Sequence, residues 1–524
     1  MRRNKRRAGR SKGRLVCCLL TVWMVVFLTS GCGRFWWESA GSNADFRGNR
    51  QTTEQEENAD QENTTEQENT GNQGNTAERV ELEEKTEQTE KGTSTGTDEA
   101  DQGQAQSGSK GAESVKEPLP RFYDARRDGR TSIVKDQGER GTCWAFASMQ
   151  ALESSLLPEE SYDFSEDHMV HDPDFILNSE EGGDYVMAMA YLLSWRGPVL
   201  ESQDPYGDGI SPEGLSPVKH VQEIRLLPES DREAIKRAVY TTGGVQSSLY
   251  TALQKTGTDT AYYNQETQAY CYQGEEAPNH DVVIVGWDDD FPAENFTTEV
   301  PGNGAYLCEN SWGTQFGEAG YFYVSYYDRN LGKTNLVYSR TEDPDNYSRI
   351  YQSDLCGWLG QIGYGEETVW ATNVYRSGES AEKLCAVGFY ATDRDTEYEV
   401  YVIPKVPENQ ESVIAKLSAG GVKKAKLSRA KGRLEDAGYY TISLDQPVSI
   451  QPKTRFALMV RLKTPGAVHP VAVEYDTGDG RFRVDLSDGE GYVSPDGSQW
   501  ERTEEAQNCN LCLKAYTRIE KTSG

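Results

Sequence analysis

The sequence is short of basic residues. Its 524 residues include 54 Lys and Arg but 84 Asp and Glu, which gives a net charge of −30 at pH 7. A general nucleic-acid-binding protein needs a basic face to neutralise phosphates, so this balance excludes that class. A body of this charge stays soluble and repels other anionic surfaces.

Long apolar runs are also missing. The longest, over 15–28, is too short to cross a bilayer comfortably; it follows a basic N-terminus and leads into LTSGC at 28–32. Small residues before a Cys resemble the bacterial lipobox, although Thr29 stands where Leu is usual. We therefore predict a lipoprotein signal peptide over 1–31 and a lipidated Cys32 that holds the protein on the outer face of the cytoplasmic membrane. An ordinary signal peptide, which would lead to secretion, and an uncleaved anchor are the alternatives.

Aromatic residues are almost absent between Arg47 and Arg121, where Gln, Glu, Asn, Thr and Gly dominate. Such a segment cannot bury enough apolar surface to offset the entropy that ordering would cost. We predict a disordered acidic linker over 32–118, with an end-to-end distance on the order of 50 Å. A linker of this length suits a stalk that lifts a folded domain away from a membrane.

Histidine is scarce, which leaves few candidates for a general base. The five are His168, His171, His220, His280 and His469. The segment Asn279-His280-Asp281 precedes the apolar run 282–287, a pattern typical of a buried strand, and a histidine at the start of such a strand is held rigidly. The structural alternative is a histidine whose hydrogen bonds are simply satisfied in the core.

A cysteine lies where a helix is predicted to begin. Within IVKDQGERGTCWAF at 133–146, apolar residues start to recur at helical spacing, so we predict a helix from about Cys143 to just before Pro158. The positive end of the helix dipole favours the thiolate, a strong nucleophile near neutral pH. Gln137 is placed to aim its amide at a developing oxyanion. A lone helical Cys is otherwise a small buried hydrophobe.

A third segment completes the arrangement. GAYLCENSWGTQFGEAGYF begins at residue 304, and Asn310 follows a predicted strand within it. Its side-chain oxygen can accept a hydrogen bond from an imidazole and so fix the orientation of the ring. Trp312 is expected to cover that bond and keep water away from it.

In order along the chain, QGERGTCWAF, NHDVVIVGW and NSWGTQFGEAGYF resemble the three signature segments of the papain family of cysteine peptidases. The resemblance covers 119–340 and implies an α+β, two-lobed peptidase domain. It implies that Cys143 is the nucleophile, His280 the base and Asn310 the residue that orients the base. Gln137 and the backbone amide of Cys143 would form the oxyanion hole.

The resemblance also implies where substrate binds. Gly182 and Gly183 match the paired glycines that bind substrate backbone, and Trp312 is also expected to contact substrate. Asp281 stands where the family has a small apolar residue, in the pocket for the second substrate residue upstream of the cut. A carboxylate there predicts a preference for Arg or Lys, and a raised pKa of His280. Alternatively, Asp281 turns outward or caps a loop amide.

Several features depart from the family. Arg140, His171 and the stretch 179–181 occupy positions where disulfide cysteines usually stand, and no inhibitory propeptide is recognisable in the linker. We leave the disulfide state of the remaining cysteines open; these are Cys271, Cys308, Cys356, Cys385, Cys509 and Cys512. No metal or cofactor is expected. Asp288–Asp290 lacks the spacing of a known calcium loop, and the single CxxC has no partner with which to bind zinc.

The C-terminal part, 341–524, alternates short apolar runs with Gly, Asp and Pro turns, which predicts an all-β sandwich or jelly roll. GWLGQIGYGEETVWATNVY and EKLCAVGFYA resemble the lectin-like domain attached to some bacterial papain-like peptidases. The aromatic residues Trp358, Tyr364 and Trp370 either stack on sugars or fill the core. The resemblance therefore implies a carbohydrate or cell-wall ligand here, beside protein or peptide substrates of the peptidase domain.

Two functions follow from these observations. The first is a surface-anchored cysteine endopeptidase that acts on proteins outside the cell. The second is a non-catalytic surface adhesin that keeps a papain-like scaffold and binds through its β domain. Because all four residues of the catalytic pattern are present, the sequence favours the enzyme.

Overall fold

The computed structural model of this protein describes residues 117–176, 182–253, 261–418 and 429–520. The signal peptide, Cys32 and nearly all of the linker predicted above lie outside the described residues. Residues 118–524 form one compact unit. Across the described ranges, no helix combines the length and the apolar character needed to cross a membrane.

Helices are concentrated in the first half of this unit. The described α-helices are α1 (Cys143–Leu156), α2 (Glu166–Val170), α3 (Tyr185–Leu193), α4 (Arg232–Thr241), α5 (Gln410–Lys416) and α6 (Thr503–Ala506). Short 3₁₀ turns cover Ala125–Asp128 and Ala293–Asn295.

Strands occur throughout the unit. They are β1 (Phe122–Asp124), β2 (His220–Leu226), β3 (Val245–Leu249), β4 (Tyr263–Asn264), β5 (Ala269–Tyr270), β6 (His280–Asp288), β7 (Ala305–Glu309), β8 (Tyr321–Ser325), β9 (Asn335–Glu342), β10 (Arg349–Tyr351), β11 (Gly360–Ile362), β12 (Thr368–Arg376), β13 (Glu382–Ala391), β14 (Thr396–Ile403), β15 (Ala430–Leu434), β16 (Ala437–Ile450), β17 (Arg455–Lys463), β18 (Val471–Glu474), β19 (Gly491–Ser494), β20 (Glu501–Arg502), β21 (Asn510–Leu511) and β22 (Leu513–Ile519).

Helix α1 is the central helix of the N-terminal half. It begins at Cys143 and ends before Pro158, as the apolar spacing predicted, and almost all of its residues are buried. One side of α1 packs on β6 and the other on α3, so it lies between a helical lobe and a sheet lobe. The predicted two-lobed α+β architecture is confirmed.

The main sheet runs through both halves of the unit. Its strand order is β10-β22-β13-β16-β2-β9-β3-β6-β7-β8-β5-β4, with β1 added beside β6. The two halves join where β16 pairs antiparallel with β2, with Ala437 opposite Leu226 and Tyr440 opposite Glu223. The peptidase and the β-rich half therefore share one sheet, which the sequence pattern did not predict.

Within its described residues, the C-terminal half is all-β apart from two short helices, as predicted. A second sheet has the order β15-β14-β17-β12-β19-β20, and a third consists of β11, β18 and β21. Apolar side chains from the main sheet and the second sheet, including Val387, Leu458 and Ala515, share one buried cluster. In β17, Phe456, Leu458, Val460 and Leu462 face this core, whereas Ala457 and Met459 between them pack into a second cluster on the other face.

Two expectations left open by the sequence are resolved here. All seven described cysteines are free thiols, and of these only Cys143 and Cys385 are partly exposed. At the acidic turn 288–290, Asp289 pairs with Lys236 and Asp290 pairs with Arg121. Ion pairs to two other segments therefore hold this turn.

Candidate active site

Cys143 is the first residue of α1; the residue is partly exposed, but its sulfur is desolvated. The backbone N–H of Asp281 donates a hydrogen bond to the sulfur, so the thiol lies at the start of β6, the strand whose first residue is His280. The preceding residue, Thr142, is buried and shares a 2.7 Å hydrogen bond with the hydroxyl of Tyr206. These contacts hold the start of α1 against β6 on one side and against the loop before β2 on the other.

His280 is the first residue of β6 and is almost fully buried. Its Nε2 lies 2.8 Å from Asn310 Oδ1, which also accepts a hydrogen bond from the backbone N–H of Ser311. Because that oxygen can only accept, Nε2 carries the proton and Nδ1 is left to accept one. The ring of Trp312 lies 4.8 Å from the imidazole, centroid to centroid, and covers this pair as expected.

Gln137 is held between two loops. Its Nε2 donates to the carbonyl of Arg140 at 2.7 Å, and its Oε1 accepts from the Ser311 hydroxyl at 2.6 Å. Its backbone N–H also donates to the Ser311 carbonyl at 2.8 Å. One Nε2 hydrogen therefore remains for a further acceptor, on a side chain that cannot rotate freely.

Burial controls the charges of the site. It raises the pKa of the Cys143 thiol to about 12, and the nearby Asp281 carboxylate adds to that increase. Burial lowers the pKa of His280 to about 4, while the hydrogen bond to Asn310 acts in the opposite direction. The backbone amides at the start of α1 lower the pKa of Cys143, as expected of a helix N-terminus, but burial and Asp281 raise it by more. The expectation of a raised His280 pKa is wrong, because burial lowers that pKa.

Asp281 turns inward. It is buried, Gln246 Nε2 donates to its Oδ2 at 2.9 Å, and Ser248 also hydrogen-bonds to it. Ser148 and Tyr338 in turn donate to Gln246 Oε1, each at 3.0 Å. Burial raises the pKa of Asp281 to about 6, against the effect of these hydrogen bonds. The Asp281 side chain therefore neither turns outward to solvent nor caps a loop amide; it accepts hydrogen bonds from the side chains of Gln246 and Ser248.

The glycine pair lies beside the start of α1. Gly182 has a φ of +74°, a conformation that side chains disfavour. A Cβ on Gly183 would lie 2.4 Å from the indole of Trp144, so only glycine fits there. The stretch 179–181, which precedes this pair, lies outside the described residues.

One part of the site was missed by sequence reasoning. Arg481, from the C-terminal half, pairs with Asp184 at 3.0 Å, and Asp184 caps α3 immediately after the glycine pair. Its neighbour Phe482 contacts Phe175, which contacts Trp144 next to the nucleophile. No local motif indicates such a contact, because about 300 residues separate its two sides in the chain.

Comparison with known families is consistent with this geometry. The model described as "Papain family cysteine protease" matches residues 119–340, and "Lectin like domain" matches residues 350–517. This chain contains a papain-family cysteine protease domain. It is followed by a lectin-like domain, so the predicted order of the two folds is confirmed.

Similar proteins fall into two groups. Cathepsin L of Sarcophaga peregrina is 29% identical over 215 residues, which is 39% of this chain and 58% of that protein; the chain thus spans less than two-thirds of it. The solved structure of the clostridial cysteine protease Cwp84 after propeptide cleavage is 28% identical, with a TM-score of 0.65, and the match covers 76% of this chain and 99% of that one.

A second Cwp84 structure contains the cysteine protease and lectin-like domains of that surface layer associated protein of Clostridium difficile. It is 27% identical, with a TM-score of 0.64, and the match covers 77% of this chain and 90% of that one. The papain-family domain and the lectin-like domain therefore occur together in a solved relative of known fold.

Proposed function

We propose that this protein is a cysteine endopeptidase whose peptidase domain covers 119–340 and whose lectin-like domain covers 341–524. The observation that carries the proposal is the 2.8 Å contact between His280 and Asn310 at the start of β6, where the backbone of Asp281 contacts the sulfur of Cys143. A partly exposed thiol, an adjacent imidazole and a residue that orients the imidazole are the parts that nucleophilic acyl transfer needs.

The reaction begins when Cys143 Sγ attacks the substrate carbonyl while its proton passes to His280 Nδ1. The oxyanion is stabilised by the remaining Gln137 Nε2 hydrogen and by the Cys143 backbone N–H. His280 then gives the proton to the leaving amine, the C–N bond breaks, and water hydrolyses the resulting thioester.

Substrate is bound on the side of Gly182 and Gly183, whose backbone can approach an extended peptide closely because neither carries a side chain. Asp281 would select Arg or Lys as the second substrate residue upstream of the cut, because a basic side chain pairs with its desolvated carboxylate. A fluorogenic series that varies only this residue tests the selection in wild type and Asp281→Ala. A preference for bulky apolar residues that survives the substitution would contradict it.

The enzyme assignment is tested by turnover of a protein substrate. Cys143→Ser and His280→Ala should abolish activity, whereas Asn310→Ala should leave part of it, since Asn310 only orients the base. Cys385→Ser, at the other partly exposed thiol, is the matched control and should stay fully active. Full activity of Cys143→Ser would end this assignment and favour the non-catalytic adhesin.

Attachment to the cell surface is part of the proposal. The similarity to a surface layer associated protein supports a surface location, and LTSGC at 28–32 supports lipidation of Cys32. Cys32→Ala should release the protein or leave the precursor unprocessed. Unchanged partition into detergent after this substitution would favour an uncleaved anchor.

The lectin-like domain is proposed to bind a carbohydrate or cell-wall ligand. Tyr364 is exposed and donates to Glu501, whereas Trp370 is half-buried against Tyr401, so both side chains are accessible at least in part. Trp358 is buried against Tyr390 and belongs to the core. Loss of cell-wall binding in Trp370→Ala, with binding unchanged in Tyr401→Phe, would support this ligand class; no binding by the parent would contradict it.

A further inference from the structure

Three carboxylates of the peptidase half converge at one point. Asp167 lies in α2, Asp204 follows in the loop before β2, and Asp208 lies four residues further on. One carboxylate oxygen from each lies within 4.8 Å of the others. Asp167 and Asp204 are fully buried, whereas Asp208 is exposed and leaves the group open on one side.

Only one oxygen of the buried Asp204 carboxylate has a hydrogen-bond partner. Ser211 donates to its Oδ2 at 2.7 Å, but Oδ1 is buried without a hydrogen-bond partner, and no ion pair to Asp204 occurs within the described ranges. Asp167 Oδ2 likewise has no hydrogen-bond partner, although His171 Nδ1 lies 3.3 Å away. A buried carboxylate is strongly unfavourable unless a cation or hydrogen bonds compensate for it.

The cationic side chains nearby do not fill this role. Arg140 Nη1 lies 3.7 Å from Asp167 Oδ1, and its Nη2 donates instead to the Gly207 carbonyl at 2.8 Å. Arg140 and His171 both contact the Asp167 side of the group, so the Asp204 side is left without a positive charge among the described ion pairs.

We propose that Asp167, Asp204 and Asp208 bind a Ca²⁺ ion. Two oxygens bound to one Ca²⁺ at 2.3–2.6 Å each are at most about 5 Å apart, which this group satisfies. A set of carboxylate oxygens suits a hard cation rather than zinc. Ca²⁺ also accepts irregular geometry better than Mg²⁺, which retains most of its water.

The site also supports the loop of the oxyanion hole. Between Asp204 and Asp208, the hydroxyl of Tyr206 donates to the Gln137 carbonyl at 2.9 Å and bonds to Thr142. An ion that fixes the ends of this loop therefore stabilises the segment 137–142. This consequence for turnover rests on the proposed function, whereas Ca²⁺ binding does not.

Binding is tested on the full chain carrying Cys143→Ala, which removes self-cleavage, by calorimetric titration with Ca²⁺ after chelator treatment. The parent should bind one Ca²⁺, and Asp204→Asn and Asp208→Asn should each raise the dissociation constant at least tenfold. Asp345→Asn, an exposed carboxylate elsewhere, is the matched control and should not change it. Because Asp208 is exposed, the Asp208→Asn protein should fold even if the substitution at the buried Asp204 prevents folding. No saturable binding, or equal binding in all variants, would overturn the site.

Turnover by the wild-type enzyme provides the second readout. Removal of Ca²⁺ should lower kcat at least threefold, and adding it back should restore the rate. The Asp208→Asn enzyme should recover its rate only at a higher Ca²⁺ concentration than wild type. Equal rates with and without Ca²⁺ would overturn the link to the oxyanion loop. A wild-type protein with no activity under any condition would refute the proposed function instead, and the binding result on Cys143→Ala would be unaffected.

Discussion

At the scale of single residues, burial decides the charge state of the candidate site. The sequence was sufficient to select Gln137, Cys143, His280 and Asn310, because each lies in a short local motif. It was not sufficient to give their pKa values, because these depend on how much water the folded lobes exclude. The backbone amides at the start of α1 favour the thiolate of Cys143, but desolvation and the Asp281 carboxylate both disfavour it.

Removal of the Asp281 charge should make the thiol more reactive. A neighbouring carboxylate disfavours the thiolate, so Asp281→Asn should lower the pKa of Cys143 and shift its alkylation profile to lower pH. The measurement is the rate of reaction with iodoacetamide between pH 6 and 10, in the Cys385→Ser background. Asp290→Asn, at an exposed ion pair, is the control. An unchanged profile in Asp281→Asn would show that this carboxylate does not act on the thiol.

At the scale of helices and strands, local pattern predicted the elements but not the contacts that join them. The bounds of α1 follow from apolar spacing and from Pro158, and the strands of the C-terminal half follow from short apolar runs between Gly, Asp and Pro turns. Lys135 is an example of what pattern does not reveal. Its ammonium is buried and pairs with Glu153 of α1 at 2.8 Å and with Glu166 of α2 at 2.7 Å.

Loss of Lys135 should destabilise the helical lobe strongly. Lys135→Met would leave Glu153 and Glu166 as buried carboxylates without their cation, which typically costs about 3–5 kcal/mol of unfolding free energy. Burial already raises the pKa of Glu166 to about 8, so this carboxyl takes up a proton at pH 7 and the loss should fall at the lower end of that range. Urea denaturation at pH 7 measures the change, with the exposed Lys383→Met as control. Equal stability of the two variants would contradict the assigned role.

At the scale of the whole molecule, the two domains depend on each other. The sequence suggested two consecutive folds, but β2 of the peptidase pairs with β16 across about 210 residues of chain. The apolar cluster around α1 also includes Trp358 and Tyr439 from the lectin-like half. Pairing over such a separation leaves no local trace in a single sequence, which is why it could not be predicted.

Cutting the chain between the domains should therefore damage the peptidase. A protein consisting of 119–340 would expose the unpaired edge of β2 and the apolar surface that the lectin-like half covers, and both promote aggregation. We expect it to elute as oligomers in size-exclusion chromatography and to melt at a lower temperature than 118–524, which serves as the control. A monomeric 119–340 with the full melting temperature would show that the shared sheet is not needed for stability.

The central claim is that Cys143 is an activated nucleophile in a peptidase site. Labelling with a thiol-reactive peptidyl epoxide, followed by mass-spectrometric mapping, tests it directly, because Cys385 provides a second partly exposed thiol in the same molecule. The account predicts one adduct per chain, located on Cys143, retained in Cys385→Ser and lost in both Cys143→Ala and His280→Ala. Labelling of Cys385 alone, or equal labelling of the two thiols that His280→Ala leaves unchanged, would contradict it.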